Sequence, residues 1–305
     1  MRHFRTALAA TAALAMLPTA ACAQQQSAAA APAATADADP ALWVVKDEDT
    51  TVYLFGTVHV LKPGLSWFDE AVKTAFDSAD TLMLELVMPD PAAMQALVMS
   101  KGVDPSGTPL SQKIPAADRD AYVKAVAEVG APQAIVDTFK PWLAATEFSV
   151  APLAKLGYSP ANGPEAVLTA AAKAANTPVQ GFETAEQQFG YLDGLSDAAQ
   201  MDFLISAIKD MPKLGNEMGE MVDDWSKGDP VALAKVMNEN LAGQPELRKT
   251  LLTDRNARWA SWIDQRMKMP GTVFIAVGAG HLAGKGSVQD DLTKTYHRKV
   301  ERVAY

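Results

Sequence analysis

The run Thr81-Leu82-Met83-Leu84-Glu85-Leu86-Val87 is apolar at almost every position rather than at alternate ones. Strand side chains point alternately to opposite faces, so a continuous apolar strand belongs in a sheet covered on both sides. Thr272-Val273-Phe274-Ile275-Ala276-Val277-Gly278 is a second strong strand. Two such strands require helices to cover them, which points to an α/β fold. Leu42–Lys46 and Thr51–Gly56 are β-rich runs around the polar turn Asp47-Glu48-Asp49, a hairpin signal. Thr177–Glu183 reads as a third core strand and Lys299–Tyr305 as a short edge strand. Helical patterns cover Trp67–Ala79, Pro91–Met99 and most of Pro115–Ala175, with breaks at Gly130, Pro141 and Gly157. They resume over Ala198–Trp225 with a break at Pro212, then Val231–Asn240, Glu246–Met267 and Ser287–Tyr296. Strands crowd both ends of the chain and helices crowd the middle. The expectation is a central mixed sheet formed by N- and C-terminal strands, with a large helical middle region packed over it.

The first 23 residues read as a signal peptide. Arg2 and Arg5 form a positive n-region, Ala7–Leu17 a short apolar core, and Ala21-Cys22-Ala23 a small-x-small site, so the mature chain begins near Gln24. The apolar run is too short to span a bilayer, and an uncleaved amphipathic helix is the alternative. Cys22 is the sole cysteine. Lipid attachment there would anchor an exported, periplasmic protein to a membrane, although Thr19 stands where a lipoprotein signal has an aliphatic residue. The mature chain then has no disulfide, cysteine ligand or cysteine nucleophile. Residues 24–40, rich in Ala, Pro, Gln and Ser, read as a disordered linker. Residues 41–305 read as one α/β domain with a helical insert. The net charge of −9 grows more negative once Arg2 and Arg5 are removed. It argues against nucleic acid or an anionic membrane surface as partner. No transmembrane segment is expected in the mature chain. Nothing in the sequence specifies an oligomeric state.

One echo stands out. Leu54-Phe55-Gly56-Thr57-Val58-His59 and Ala276-Val277-Gly278-Ala279-Gly280-His281 both read apolar strand, glycine, two residues, histidine. Ligands of α/β sheets bind at strand ends, where loops diverge. Imidazole there suits zinc, cobalt, iron or manganese, and such sites usually add a carboxylate. Glu85 and Glu183 lie within or end apolar strands, where an unpaired charge is costly. Glu85 reads equally as ligand, general base or buried ion-pair partner, and Glu183 also as an acid beside a helix N-terminus. Glu186, one turn on, is placed to face the same side. Arg255, on a helix before the last strong strand, suits an oxyanion or a substrate carboxylate, and equally a surface arginine. The histidines themselves also suit a core or loop. His297 sits in a charged tail and is set aside. Met211, Met218 and Met221, with Gly215 and Gly219, read as packing or as a mobile helical hairpin that contacts peptide. No Gly-x-Ser-x-Gly elbow and no complete nucleotide loop occurs.

These residues carry a resemblance. Leu42-Trp43, Tyr53 to His59, Leu84-Glu85, Glu183-Thr184-Ala185-Glu186-Gln187, Arg255-Asn256 and Ala276 to Leu282, in that order, resemble the TraB/GumN/PrgY-type family, related to the Tiki metalloproteases. The landmarks span about residues 42 to 300. The resemblance implies a metal-dependent hydrolase, acting on peptide or protein substrates with one divalent ion (manganese, cobalt or zinc). His59, His281 and Glu85 would be its metal ligands, and Glu85, Glu183 and Arg255 its catalytic groups. Metal would polarise the scissile carbonyl, and one glutamate would carry the proton to the leaving amine. The alternative is a non-catalytic envelope protein that binds a metal, haem or small ligand, or an inactive scaffold.

Overall fold

A computed structural model describes residues 35–241 and 243–305. The expected signal peptide, with Cys22, and most of the linker lie outside the described residues. The end of that linker belongs to the fold. Strand β1 (Ala36–Asp37) pairs with β4 (Leu65–Ser66), Ala38 is buried, and the Asp39 amide donates to the Ser226 carbonyl at 2.8 Å.

The main sheet has six strands in the order β6-β5-β7-β3-β2-β8. They are β2 (Leu42–Lys46), β3 (Thr50–Thr57), β5 (Thr81–Leu86), β6 (Val179–Glu183), β7 (Gly271–Gly278) and β8 (Glu301–Arg302). β3, β7, β5 and β6 run parallel, while β2 is antiparallel to both β3 and β8. The sheet is therefore mixed, as expected from the sequence. The hairpin β2–β3 is closed by Asp47, whose carboxylate accepts from the Thr50 amide at 3.0 Å, an Asx-type turn. One expectation is corrected in position. β6 is an edge strand contributed by the middle of the chain, not a core strand, and its Gln180 and Gly181 are exposed.

Helices cover both faces because the central strands are apolar on both. In β7, Val273, Ile275 and Val277 face one way and Phe274 and Ala276 the other. The first face packs on α13 (Asp254–Arg266) and α14 (Val288–Lys294). The second packs on α1 (Glu70–Asp77), α7 (Pro164–Ala175), α10 (Leu214–Ser226) and α11 (Pro230–Leu241). A third core joins the middle helices: α2 (Pro91–Gly102), α3 (Leu110–Lys113), α4 (Arg119–Val129), α5 (Gln133–Val136), α6 (Pro141–Lys155), α8 (Ala185–Asp193), α9 (Asp197–Asp210) and α12 (Pro245–Arg248). Met218 and Met221 are buried under the sheet, so these two methionines pack in the core and present no peptide-contact surface. Among the described residues no helix is long and apolar enough to cross a membrane.

Candidate functional site

The two glycine–x–x–histidine motifs end adjacent parallel strands. β3 pairs with β7 so that Gly56 faces Val277 and Thr57 faces Gly278. Gly56 permits the close approach, since a Cβ there would stand 3.2 Å from the Cα of Ala279 in the other motif. The Gly56 carbonyl accepts from the buried Trp225 Nε1 at 2.7 Å, which ties α10 to the strand end. His59 follows β3 directly, and His281 sits in a 3₁₀ turn, Ala279–Leu282, after β7.

His59, His281, Glu85, Glu183 and Arg255 meet at this end of the sheet. Arg255 is their hub. Its Nη2 donates to Glu85 Oε2 at 2.6 Å and to Glu183 Oε2 at 2.7 Å, and its Nε reaches both Glu183 oxygens at 2.9 and 3.0 Å. Nη1 donates to the Leu251 carbonyl at 3.1 Å and lies 3.2 Å from His281 Nε2. Leu251 belongs to a π-helical turn, Lys249–Thr253, the kind of irregularity that re-aims side chains. The guanidinium lies over the Trp259 ring at 4.8 Å, and that ring contacts the His281 ring at 4.4 Å and stacks on Phe182.

The tautomer of His281 follows from its neighbours. Asn256 Nδ2 donates to the Gly286 carbonyl at 2.7 Å, which leaves Oδ1 as the acceptor facing His281 Nδ1 at 2.6 Å. Nδ1 therefore carries the proton, and Nε2 presents a lone pair toward Arg255 and toward Glu85 Oε1, 3.7 Å away. Burial pushes the His281 pKa down to about 3, with Glu85 opposing and Arg255 adding to the fall, so the ring is neutral. Burial alone would raise Glu85. Arg255, then His281, His59 and the Gly278 N–H at 2.7 Å outweigh it and hold the carboxyl at about 2.

His59 has a partner the sequence reading missed. Its Nδ1 lies 2.6 Å from Glu165 Oε1, and the Thr57 hydroxyl donates to the same oxygen at 2.5 Å. Burial presses the His59 pKa down, but Glu165, by charge and hydrogen bond, and then Glu85 raise it above the ordinary value of 6.5. Glu165 lies in the first turn of α7, after Gly163 and Pro164. Proline at the first helical position with an acid beside it reads in sequence as an ordinary helix start. Only its place against His59 marks it as part of the site. The His59 and Glu165 side chains are 17% and 29% exposed, against 0% for His281 and 1% for Arg255, so the site opens on the His59 side.

The arrangement reassigns two acids. Glu183 is tied to Arg255 and accepts from Gln188 at 3.1 Å, so it holds Arg255 rather than standing free as a base. The capping box of α8, Thr184 with Gln187, fixes the chain that presents it. Glu186 is exposed and 3.5 Å from Lys101, outside the site. Among the described residues, no three His, Cys, Asp or Glu side chains are gathered around one point as a metal group. The donor chemistry nonetheless suits a divalent ion. Each histidine has Nδ1 secured by an acceptor, which leaves Nε2 as the donor atom. A Cβ on Gly278 would stand 3.1 Å from both His59 Nε2 and Glu85 Oε1, so a side chain there would crowd the space between them that glycine leaves open.

Residues 41–297 match the TraB/PrgY/gumN family, and the chain belongs to that family. A protein of Treponema pallidum (strain Nichols), described only as "Uncharacterized protein", is 22% identical over 306 residues, covering 95% of this chain and 91% of its own. No solved structure matches the chain.

Proposed function

Taking that family membership as premise, we propose that the protein is a metal-dependent hydrolase that cleaves peptides or proteins in the cell envelope, after export by its N-terminal leader. This reading places it with the Tiki branch. The observation that carries it is the pair of imidazoles at neighbouring strand ends, each with Nδ1 engaged and Nε2 on the side of Glu85. Glu85 and Glu183 share the buried guanidinium of Arg255, and the second guanidinium beside Glu183, that of Arg258 at 3.7 Å, is exposed, so the buried part of the network retains a negative charge that favours a cation. His59, His281 and Glu85 would hold the ion. Manganese, cobalt or zinc, once bound, supplies Lewis acidity toward the scissile carbonyl and toward water. Arg255, oriented by Glu183, takes up charge that develops on the substrate. Glu85, held near a pKa of 2, is too weak a base to carry a proton at neutral pH.

Metal analysis of the mature protein, purified without chelator, tests this beside His59→Ala and His281→Ala. Stoichiometric metal in the wild type, lost in both folded variants and matched by metal-dependent cleavage in a peptide library, is the expected result. No metal after addition of manganese, cobalt or zinc sinks the proposal. A second reading is favoured by one observation: Arg255 already occupies Glu85, Glu183 and His281. A site saturated in this way suits a non-catalytic ligand-binding protein. Metal binding without cleavage would support it.

A further inference from the structure

We infer that Glu165 is the positioning residue of the site, and that it fixes the His59 imidazole in the Nδ1–H form with the Nε2 lone pair turned to Glu85 and Gly278. A free histidine ring favours the opposite tautomer, with the proton on Nε2, so the ligand-competent form needs an acceptor at Nδ1. Glu165 supplies it at 2.6 Å. A carboxylate is an acceptor only, so the ring must donate. The Thr57 hydroxyl donates to the same oxygen at 2.5 Å and pins the carboxylate from the strand side.

The backbone sets this contact as firmly as the side chains do. The carbonyl of His59 lies over Gly163, the N-cap of α7, where even a Cβ would stand 2.3 Å from that oxygen. Leu61 and Ser159 exchange backbone hydrogen bonds at 3.0 and 3.3 Å, and Asn162 Nδ2 donates to the Leu61 carbonyl at 3.3 Å. The loop that carries His59 is thus clamped to the loop that leads into α7. Glu165, 106 residues from His59 in sequence, has no separate freedom to move away. The arrangement matches the carboxylate–histidine pairs that orient metal ligands and raise their basicity. The effect on metal affinity rests on the hydrolase reading, whereas the tautomer does not.

The test is nitrogen NMR of the mature protein labelled with ¹⁵N-histidine, recorded near about pH 9, above the ordinary imidazole range. Of the four histidines of the chain, His3 falls within the expected leader, so the mature protein carries His59, His281 and His297, and His59→Gln identifies the signal. The expected wild-type spectrum shows His59 protonated at Nδ1 and bare at Nε2. Glu165→Gln keeps an acceptor oxygen and should keep that form, whereas Glu165→Ala should shift the proton to Nε2. Manganese, cobalt or zinc titrated into the same proteins should bind about 10–100-fold more weakly to Glu165→Ala than to wild type. Wild-type His59 protonated at Nε2 overturns the inference without any variant being needed. So does an unchanged tautomer in a folded Glu165→Ala. If wild type binds none of these metals, the hydrolase reading fails while the spectrum still decides the role of Glu165.

Discussion

Replacing Arg255 by methionine keeps much of the side-chain bulk and removes the one cation that two buried carboxylates share. Glu85 would keep the Gly278 N–H, and Glu183 would keep Gln188 and Tyr191. Neither set carries a charge, although the exposed Arg258 stays 3.7 Å from Glu183 as a weaker counter-ion. Glu85 is held at about 2 against an ordinary 4.5, a difference of about 3 kcal/mol at 1.36 kcal/mol per pKa unit. Breaking one side of a buried ion pair generally costs about 3–5 kcal/mol, so Arg255→Met should lose about that much at pH 7. The pH dependence makes the test specific. In wild type, the depressed Glu85 pKa contributes stability that is present above pH 4.5 and lost as pH falls toward 2. In the variant, burial loses its largest opponent and the Glu85 pKa rises, so acid relieves the strain. Urea unfolding followed by far-UV circular dichroism at pH 7, 5.5 and 4 should show the gap narrowing. Adding Glu183→Leu should recover part of the loss, because an apolar pair replaces a stranded charge. A loss under about 1 kcal/mol at pH 7, or a gap constant across the series, would refute the claim that Arg255 holds these acids.

Gly163→Ala should force α7 away from the His59 carbonyl, at about 1–3 kcal/mol by overpacking. Thermal unfolding checks it, and an unchanged Tm refutes the close approach. Neutral His281, with its pKa lowered to about 3, contributes stability that is full above pH 6.5 and drains as pH falls. The stability difference between wild type and His281→Gln should therefore shrink by about 2 kcal/mol from pH 7 to pH 5 in urea titrations, and a constant difference would contradict it. Glu147 in α6 has the opposite sign, since burial raises its pKa to about 7. Its contribution is present below pH 4.5 and lost as pH rises through 7, so Glu147→Gln should stabilise the protein by about 3 kcal/mol at pH 8 and by little at pH 4. Equal effects at both pH values would show that this carboxyl is not strained.

Much of the fold was legible because its signals are local. Asp47 closing the β2–β3 hairpin, the doubly apolar β5 and β7, and the glycine three residues before each histidine are patterns within a few neighbouring residues. The same locality misled in places. Thr177–Glu183 reads as a core strand because burial of its ends depends on which strand lies beside it, and among the described residues none lies beyond β6. Glu186 shares a helical face with Glu183 in projection, yet it turns to Lys101. Asn256 stood in the sequence only as a neighbour of Arg255 with no role of its own, and Glu165 gave no signal, because a helix-interior asparagine and a first-turn acid are ordinary residues until a histidine is placed against them.

The sequence by itself determined the chemical groups on offer: two imidazoles after strands, two strand carboxylates and one helical arginine. Tertiary structure alone decided the pairing. Arg255 reaches Glu85 across 170 residues and Glu183 across 72, and His59 meets Glu165 across 106. Those partners are chosen by strand order, register and the clamp between loops. Each is a non-local consequence of burying apolar faces, and the buried charges must then find one another.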